Sequence, residues 1–274
     1  MRSAIAILCF ASLSSAAVAQ NLSPTQETIF QVRTLTIVSS DLPDSERMPI
    51  VNAYQGKTYY LEELKERIGL DLRDLGYANA AVEDGQIANL SGPPDSRSAD
   101  VTIRVVPGAK YRIETIRLTG AKAFPPDRLR SQFPVADGSL FNATAIGKGL
   151  DNLKNLYASQ GHIDFGAVPK LEYDESRHTI SLDVDIDEGR VYVFGRLFFD
   201  GVEPHAGAAA ELRAAWKPLE GTTYSPQPLA DWLKTNATFV SVSERTPDGC
   251  VTAHPNPDAR RIDFQLEFPE APHP

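Results

Sequence analysis

Three alternating apolar runs, each opened by an aromatic residue, recur at a fixed interval. They are Phe30-Gln-Val-Arg-Thr-Leu-Thr-Ile, Tyr111-Arg-Ile-Glu-Thr-Ile-Arg-Leu and Tyr192-Val-Phe-Gly-Arg-Leu-Phe-Phe, with starts 81 residues apart both times. A second marker follows each run: a glycine, two residues, an aromatic, then a helix start. It falls at Gly56/Tyr59, Gly138/Phe141 and Gly221/Tyr224, with glycines 82 and 83 residues apart. A third marker closes each unit: Val101-Thr-Ile-Arg-Val, Ile180-Ser-Leu-Asp-Val-Asp-Ile and Ile262-Asp-Phe-Gln-Leu-Glu-Phe. Three markers in one order and one spacing mean a triplicated supersecondary unit, and that constrains the fold more than any single motif.

The periodicity switches in the same order inside each unit. The opening run alternates with period two, a half-buried strand. In the second unit its inward set is Tyr111, Ile113 and Thr115. A short helix starts at Pro125-Pro126-Asp127, where proline suits a first turn, and carries Leu129 and Phe133. After the Gly138 turn a longer helix is capped by Asn142. Its apolar face is Ile146, Leu150, Leu153 and Tyr157, and Gly161 stops it. The corresponding face in the first unit is Leu61, Leu64, Ile68, Leu72 and Leu75, stopped by Gly76. In the third, Ser225-Pro226 starts the helix, and Leu229, Trp232 and Leu233 form its face. Two strands finish each unit; in the second they are 165–173 and 179–186. Residues 84–100 of the first unit are a polar insert in this hairpin region. The expected fold class is α+β: three tandem β-α-α-β-β modules, each a three-stranded sheet packed on two helices. The module boundaries are 20–110, 111–191 and 192–268, with a Pro-rich tail over 269–274.

Residues 1–19 read as a secretory signal peptide: basic Arg2, an apolar stretch over 4–13, and Ala17-Val18-Ala19 as cleavage signal. No later window is apolar for long enough to make a transmembrane helix. The chain of 274 residues carries 36 acidic and 27 basic side chains, a net charge of −9. That balance argues against nucleic acid as a partner, since phosphate binding needs a dense basic surface. Cys9 lies in the leader, so Cys250 stands alone and no disulfide framework is available.

Candidate chemistry is sparse. His162, His178, His205, His254 and His273 lack metal-ligand spacing. No nucleophile elbow and no glycine-rich phosphate loop occurs. The acids of Asp183-Val-Asp185-Ile-Asp187-Glu188-Gly189 fail the calcium-loop test, because glycine falls at position 7 and phenylalanine at position 12. They read instead as the wet side of a strand whose Ile180, Leu182, Val184 and Ile186 face a core. Trp216 and Trp232 lie in helical apolar stripes and read as core. No enzyme activity, metal or cofactor is expected.

The segments 111–120 (YRIETIRLTG), 137–162 (DGSLFNATAIGKGLDNLKNLYASQGH) and 179–201 (TISLDVDIDEGRVYVFGRLFFDG) resemble polypeptide-transport-associated (POTRA) domains. The resemblance covers about residues 30 to 268 and is strongest in the second unit. "ASQGH" is similar to the family's usual helix end, with His162 in place of an aromatic. "DEGRVY" is similar to the Glu-Gly-x-x-Tyr junction between modules. The first unit departs at Tyr60, which replaces a capping residue. The third lacks the helix-ending glycine, and its "LKTNATFVSVSERT" resembles the last module before a barrel. The resemblance implies a periplasmic location, which includes the inner face of the outer membrane. It implies as partners an outer-membrane β-barrel protein or unfolded outer-membrane polypeptides. After Phe268 the chain has no room for the eight or more strands of a barrel, so a separately encoded barrel is expected. The alternatives are the N-terminal part of a barrel assembly protein and an envelope hydrolase.

Pro169 locates the candidate site. Proline removes a ladder donor, so its strand belongs at a sheet edge. In POTRA-like modules that strand is the exposed one, beside a helix-lined groove. Extended polypeptides can add to such an edge through backbone hydrogen bonds. The site residues expected on this basis are Val168, Lys170, Leu171, Glu172 and Tyr173. The equivalent strands near residues 80–87 and 239–244 are secondary candidates.

Overall fold

The opening aromatic of each unit is buried because a glycine loop lies along the strand that it starts. The computed structural model describes residues 28–93, 96–200, 206–236 and 251–267. In the first module β1 (Phe30–Val38) meets the loop of Gly56, whose N–H donates to Val32 O at 2.7 Å. Gly138 donates to Ile113 O at 2.6 Å along β5 (Arg112–Thr119), and Gly221 to Phe194 O at 2.8 Å along β8 (Val193–Asp200). These glycines have φ of 82°, 80° and 78°, and a Cβ on any of them would meet open space. The left-handed backbone alone therefore demands glycine there. Tyr59 and Phe141 follow as buried anchors, with Tyr224 half-buried. The loop extends into β2 (Thr58–Tyr59) in the first module. It contributes single bridges, Arg112 to Leu140 and Val193 to Thr223, in the others.

Two helices follow each opening strand. They are α1 (Asp44–Tyr54) and α2 (Leu61–Asp74), α3 (Pro126–Arg130) and α4 (Ala143–Ala158), and α5 (Ala206–Trp216) and α6 (Pro226–Thr235). Asn142 caps α4 as expected, accepting the Ala145 N–H at 2.6 Å. Tyr60 precedes α2 without a side-chain cap. The hairpins are β3 (Ala81–Ser91) with β4 (Ser98–Val106), β6 (Gly166–Asp174) with β7 (Thr179–Asp187), and β9 (Val251–Asn256) with β10 (Arg261–Glu267). The sheet orders are β2-β1-β4-β3, β5-β7-β6 and β8-β10-β9. The closing strand thus lies in the middle, and in the first and third sheets it runs parallel to the opening strand. This is the expected α+β arrangement, except that β2 makes the first sheet four-stranded.

Two details differ from the sequence pattern. The polar stretch 84–100 is mostly strand: β3 runs on to Ser91 at a sheet edge with none of its residues fully buried, so its polarity marks exposure. The opening strands also do not alternate cleanly. Register slips between Val32 and Thr34 in β1, and β10 slips against β8 between Ile262 and Phe264. In β5 the buried residues are Ile113 and then Ile116, with Thr115 only half-buried. One extra residue in a strand reverses the facing of all that follow.

The helix-ending glycines join neighbours. Gly76 (φ 99°) accepts the Tyr111 N–H at 2.8 Å, and Gly161 (φ 85°) accepts the Tyr192 N–H at 2.9 Å. Asp74 reaches from the end of α2 to the Thr144 N–H at 2.9 Å, at the start of α4. By compactness the chain divides into two units. One comprises residues up to 118 with 130–150 and 169–184; the other comprises 119–129, 151–168 and 185 onward. The leader, the tail and the secondary candidate at 239–244 lie outside the described residues.

Candidate functional site: the edge strand of the middle module

Strand β6 has a neighbour on one side only, β7, which places Pro169 at a sheet edge. Its side chains divide between two faces. Val168 stands 66% exposed, the largest exposure among the bulky apolar residues described. Lys170 and Glu172 share that face and form an ion pair at 2.8 Å. Leu171 points the other way and is buried at 6%. Tyr173 is half-buried, its ring edge-on to Tyr111 with centroids 5.5 Å apart. Burial pushes the Tyr173 hydroxyl pKa up, and the Glu175 charge adds to it. Of the five residues expected to bind, three therefore face solvent, while Leu171 and Tyr173 support the strand from behind.

A row of charges continues across the sheet, beyond the residues that the sequence pattern singles out. Arg117 of β5 grips Asp183 of β7 with Nε at 2.6 Å and Nη2 at 3.0 Å. It also lies 3.8 Å from Glu172. Asp183, paired by Arg117, is held below the usual carboxylate range, and the Lys170 ammonium is raised by its hydrogen bond to Glu172. Such exposed pairs add little stability, but they give the edge an ordered pattern of Val, Lys and Glu. Strict alternation hides the row: Arg117 shares the parity of Ile113 and Thr115, and it faces outward because the strand buries Ile116 instead.

The other two edges are built differently. β3 carries two register shifts against β4, and Asn89 adopts φ 51°. Arg33 ties its end down, reaching Asn89 O at 3.1 Å, Ser91 Oγ at 3.3 Å and the Asp100 carboxylate at 2.9 Å. Bulges and tethered charges discourage strand addition. β9, described over Val251–Asn256, contains Pro255.

The acids of 183–189 also separate. Asp183 pairs with Arg117, while Glu188 turns back onto backbone. Its Oε1 accepts the N–H groups of Lys122 at 2.6 Å and Ala123 at 2.7 Å, and the Tyr157 hydroxyl at 2.9 Å. Burial would raise this carboxyl, but the three donors outweigh it and hold it below its ordinary value. His162 is buried, with Nδ1 2.9 Å from Glu188 O. Among the described residues no three His, Cys, Asp or Glu side chains are grouped to hold a metal. Trp216 and Trp232 are both buried and pack edge-to-face at 5.0 Å, as core.

Residues 111–189 match the POTRA family model, described as a surface antigen variable number repeat. A crystal structure of Haemophilus influenzae BamA POTRA3-5 matches with a TM-score of 0.63 at 18% identity, covering 91% of this chain and 100% of that one. The chain folds as successive POTRA modules. The chain is also similar to the outer membrane protein assembly factor BamA of Buchnera aphidicola, at 22% identity over 116 residues. That match covers 39% of this chain and only 19% of the relative's length. The structure of Haemophilus ducreyi BamA lacking POTRA domains 1-3 matches more loosely, with a TM-score of 0.43, 16% identity and coverage of 61% and 32%. Among the described residues no helix of this chain is long and apolar enough to cross a membrane.

Proposed function

We propose that this chain is a non-catalytic periplasmic scaffold in outer-membrane protein assembly or translocation, and that it binds unfolded outer-membrane polypeptides by strand addition to β6. The carrying observation is the edge itself: β6 has a strand on one side only, Pro169 within it and Val168, Lys170 and Glu172 facing solvent. Backbone pairing along an edge is nearly independent of the client's sequence, which suits a site serving many extended chains. Affinity for each client is weak, because ordering an extended chain costs entropy. On this reading residues 1–19 are the export signal, and modules over 20–110, 111–191 and 192–268 form the scaffold. An outer-membrane β-barrel protein is the second partner.

The test is site-specific photo-crosslinking of the full precursor in its native host. The crosslinker replaces Val168, Lys170 or Glu172, with Asp185 on the central strand as control. Crosslinks from β6 to outer-membrane polypeptides, absent at Asp185, are expected. A silent edge in a folded, exported protein rules out strand addition there.

A further inference from the structure

A groove of about 350 Å³ lies between α1 and α2 of the first module, far along the sequence from β6. Pro49, Ile50 and Ala53 of α1 and Leu75 at the end of α2 give it an apolar lining. Asp71 and Asp74 of α2 supply its carboxylates; three residues apart, they share one helix face. A third acid at the groove, Glu46, is already neutralised by Lys110 at 2.6 Å and accepts the Tyr77 hydroxyl at 2.8 Å. The two aspartates are not. Among the described residues Asp71 accepts the Tyr54 hydroxyl at 2.6 Å, and Asp74 accepts the Thr144 N–H. Among the described residues neither forms an ion pair, and Arg67, the cation acting on Asp71 from farther off, is held by Glu63 at 2.9 Å. Burial raises the Asp71 carboxyl above the usual range, and the neighbouring Asp74 charge pushes the same way. Two adjacent half-buried carboxylates beside an apolar wall favour a cation carried on a hydrocarbon stem.

We infer that this groove docks a basic side chain, arginine or lysine, of a partner polypeptide, with its methylenes on Pro49, Ile50, Ala53 and Leu75 and its charged head at Asp71 and Asp74. The volume is at the small end of ligand sites, enough for one long side chain and its flanking residues. The inference does not depend on strand addition at β6.

The test is amide chemical-shift titration of the full chain with three probes: the blocked peptide acetyl-Ala-Arg-Leu-amide, the same peptide with neutral citrulline for arginine, and butylguanidinium. The arginine peptide is expected to give saturable shifts at Ala53, Asp71 and Leu75, weakened by salt. Citrulline is expected to bind about tenfold more weakly, as is the arginine peptide to the Asp71→Asn/Asp74→Asn variant, in which both side chains keep an acceptor oxygen. The citrulline comparison uses the unaltered chain, so it holds even if the variant fails to fold. Equal binding of arginine and citrulline peptides, or no saturable shift at the groove, overturns the proposal. Binding of butylguanidinium as tight as that of the peptide overturns the polypeptide partner.

Discussion

Removing the Glu188 carboxylate should destabilise the middle module through a hydroxyl that loses its partner. Glu188 holds three donors, but they are not equal. The Lys122 and Ala123 amides belong to exposed residues, so water can replace the carboxylate there. The Tyr157 ring is 0% exposed, packed edge-on to Phe124 at 4.9 Å and stacked on Phe165 at 4.4 Å. Its hydroxyl has little access to solvent once Glu188 is gone. An orphaned buried donor costs about 1–3 kcal/mol. Glu188→Ala is therefore expected to cost about 2 kcal/mol, and Tyr157→Phe, which removes the donor itself, about 1 kcal/mol. The double variant should cost about 1 kcal/mol less than the sum, because no hydroxyl is left stranded. Native-state hydrogen exchange reads this within one module of a multi-module chain. Amides of Leu182 and Ile186 in β7 should exchange about 30-fold faster in Glu188→Ala, while those of Val101 and Ile103 in the first module stay unchanged. The pH dependence has a fixed sign. The carboxyl is depressed in the folded state, so its contribution is complete above the unfolded value near 4.5 and is lost as pH falls through the folded one. Strict additivity of the two single variants, or unchanged exchange in Glu188→Ala, refutes the reasoning.

Gly195→Ala should destabilise the third module by about 1–3 kcal/mol. Its Cβ would stand 2.7 Å from Ile262 O and run into the Asp263 carboxylate, which accepts the Arg196 N–H at the bulge. The fluorescence of Trp216 and Trp232, both in that module's core, follows the loss during urea unfolding. Gly138→Ala and Gly161→Ala start from similar φ, 80° and 85°, but different surroundings. The first should cost only the left-handed backbone, about 1–2 kcal/mol. The second adds a Cβ 2.7 Å from Tyr192 O and should cost measurably more, with faster proteolysis near residues 189–192. Equal costs would mean that the Gly161 to Tyr192 junction is slack. Val168→Asp should leave thermal unfolding within about 0.5 kcal/mol of the parent, since the side chain is exposed.

Much of this fold is legible in the amino-acid order because its constraints are backbone constraints repeated three times. Gly56, Gly138 and Gly221 are required by φ alone, so they survive as a visible spacing. The faces of α2 and α4 show for the same reason: Leu64, Ile68 and Leu72, and Ile146, Leu153 and Tyr157, fall on a 3.6-residue period. The bulges do not show, because one inserted residue looks like noise in a period-two pattern until the partner strand is known. Strict alternation therefore points Thr115 inward, where the fold buries Ile116 instead. At the candidate site Pro169 marks the edge, but only the sheet separates Val168 from buried Leu171. Glu188 reads as one acid in a row of four, and its turn back onto Tyr157 and the 122–123 amides joins residues 31 and 66 positions apart. The α1–α2 groove leaves no sequence signal, since Asp71 and Asp74 look like ordinary solvated positions.

The three sheet edges are blunted to different degrees. All three sheets place the first strand of their hairpin outermost, so topology alone offers three equivalent edges. Side chains break the equivalence. Arg33 clamps the end of β3 beside two irregularities of register, and β9 carries Pro255. β6 keeps nine residues, with Pro169 as its protection against unselective pairing. An edge must be blunted enough to avoid aggregation yet open enough to accept a client. The proposed function requires that a single proline in a nine-residue strand, flanked by Val168 and an ion-paired Lys170, lie between those limits. Moving the clamp tests this directly. Arg33→Ala should free the end of β3, and crosslinkers at Gln86 or Ala88 should then capture extended polypeptides that the parent chain does not. If β3 stays silent after its clamp is removed, side-chain blunting does not select the edge, and the register shifts themselves must close it.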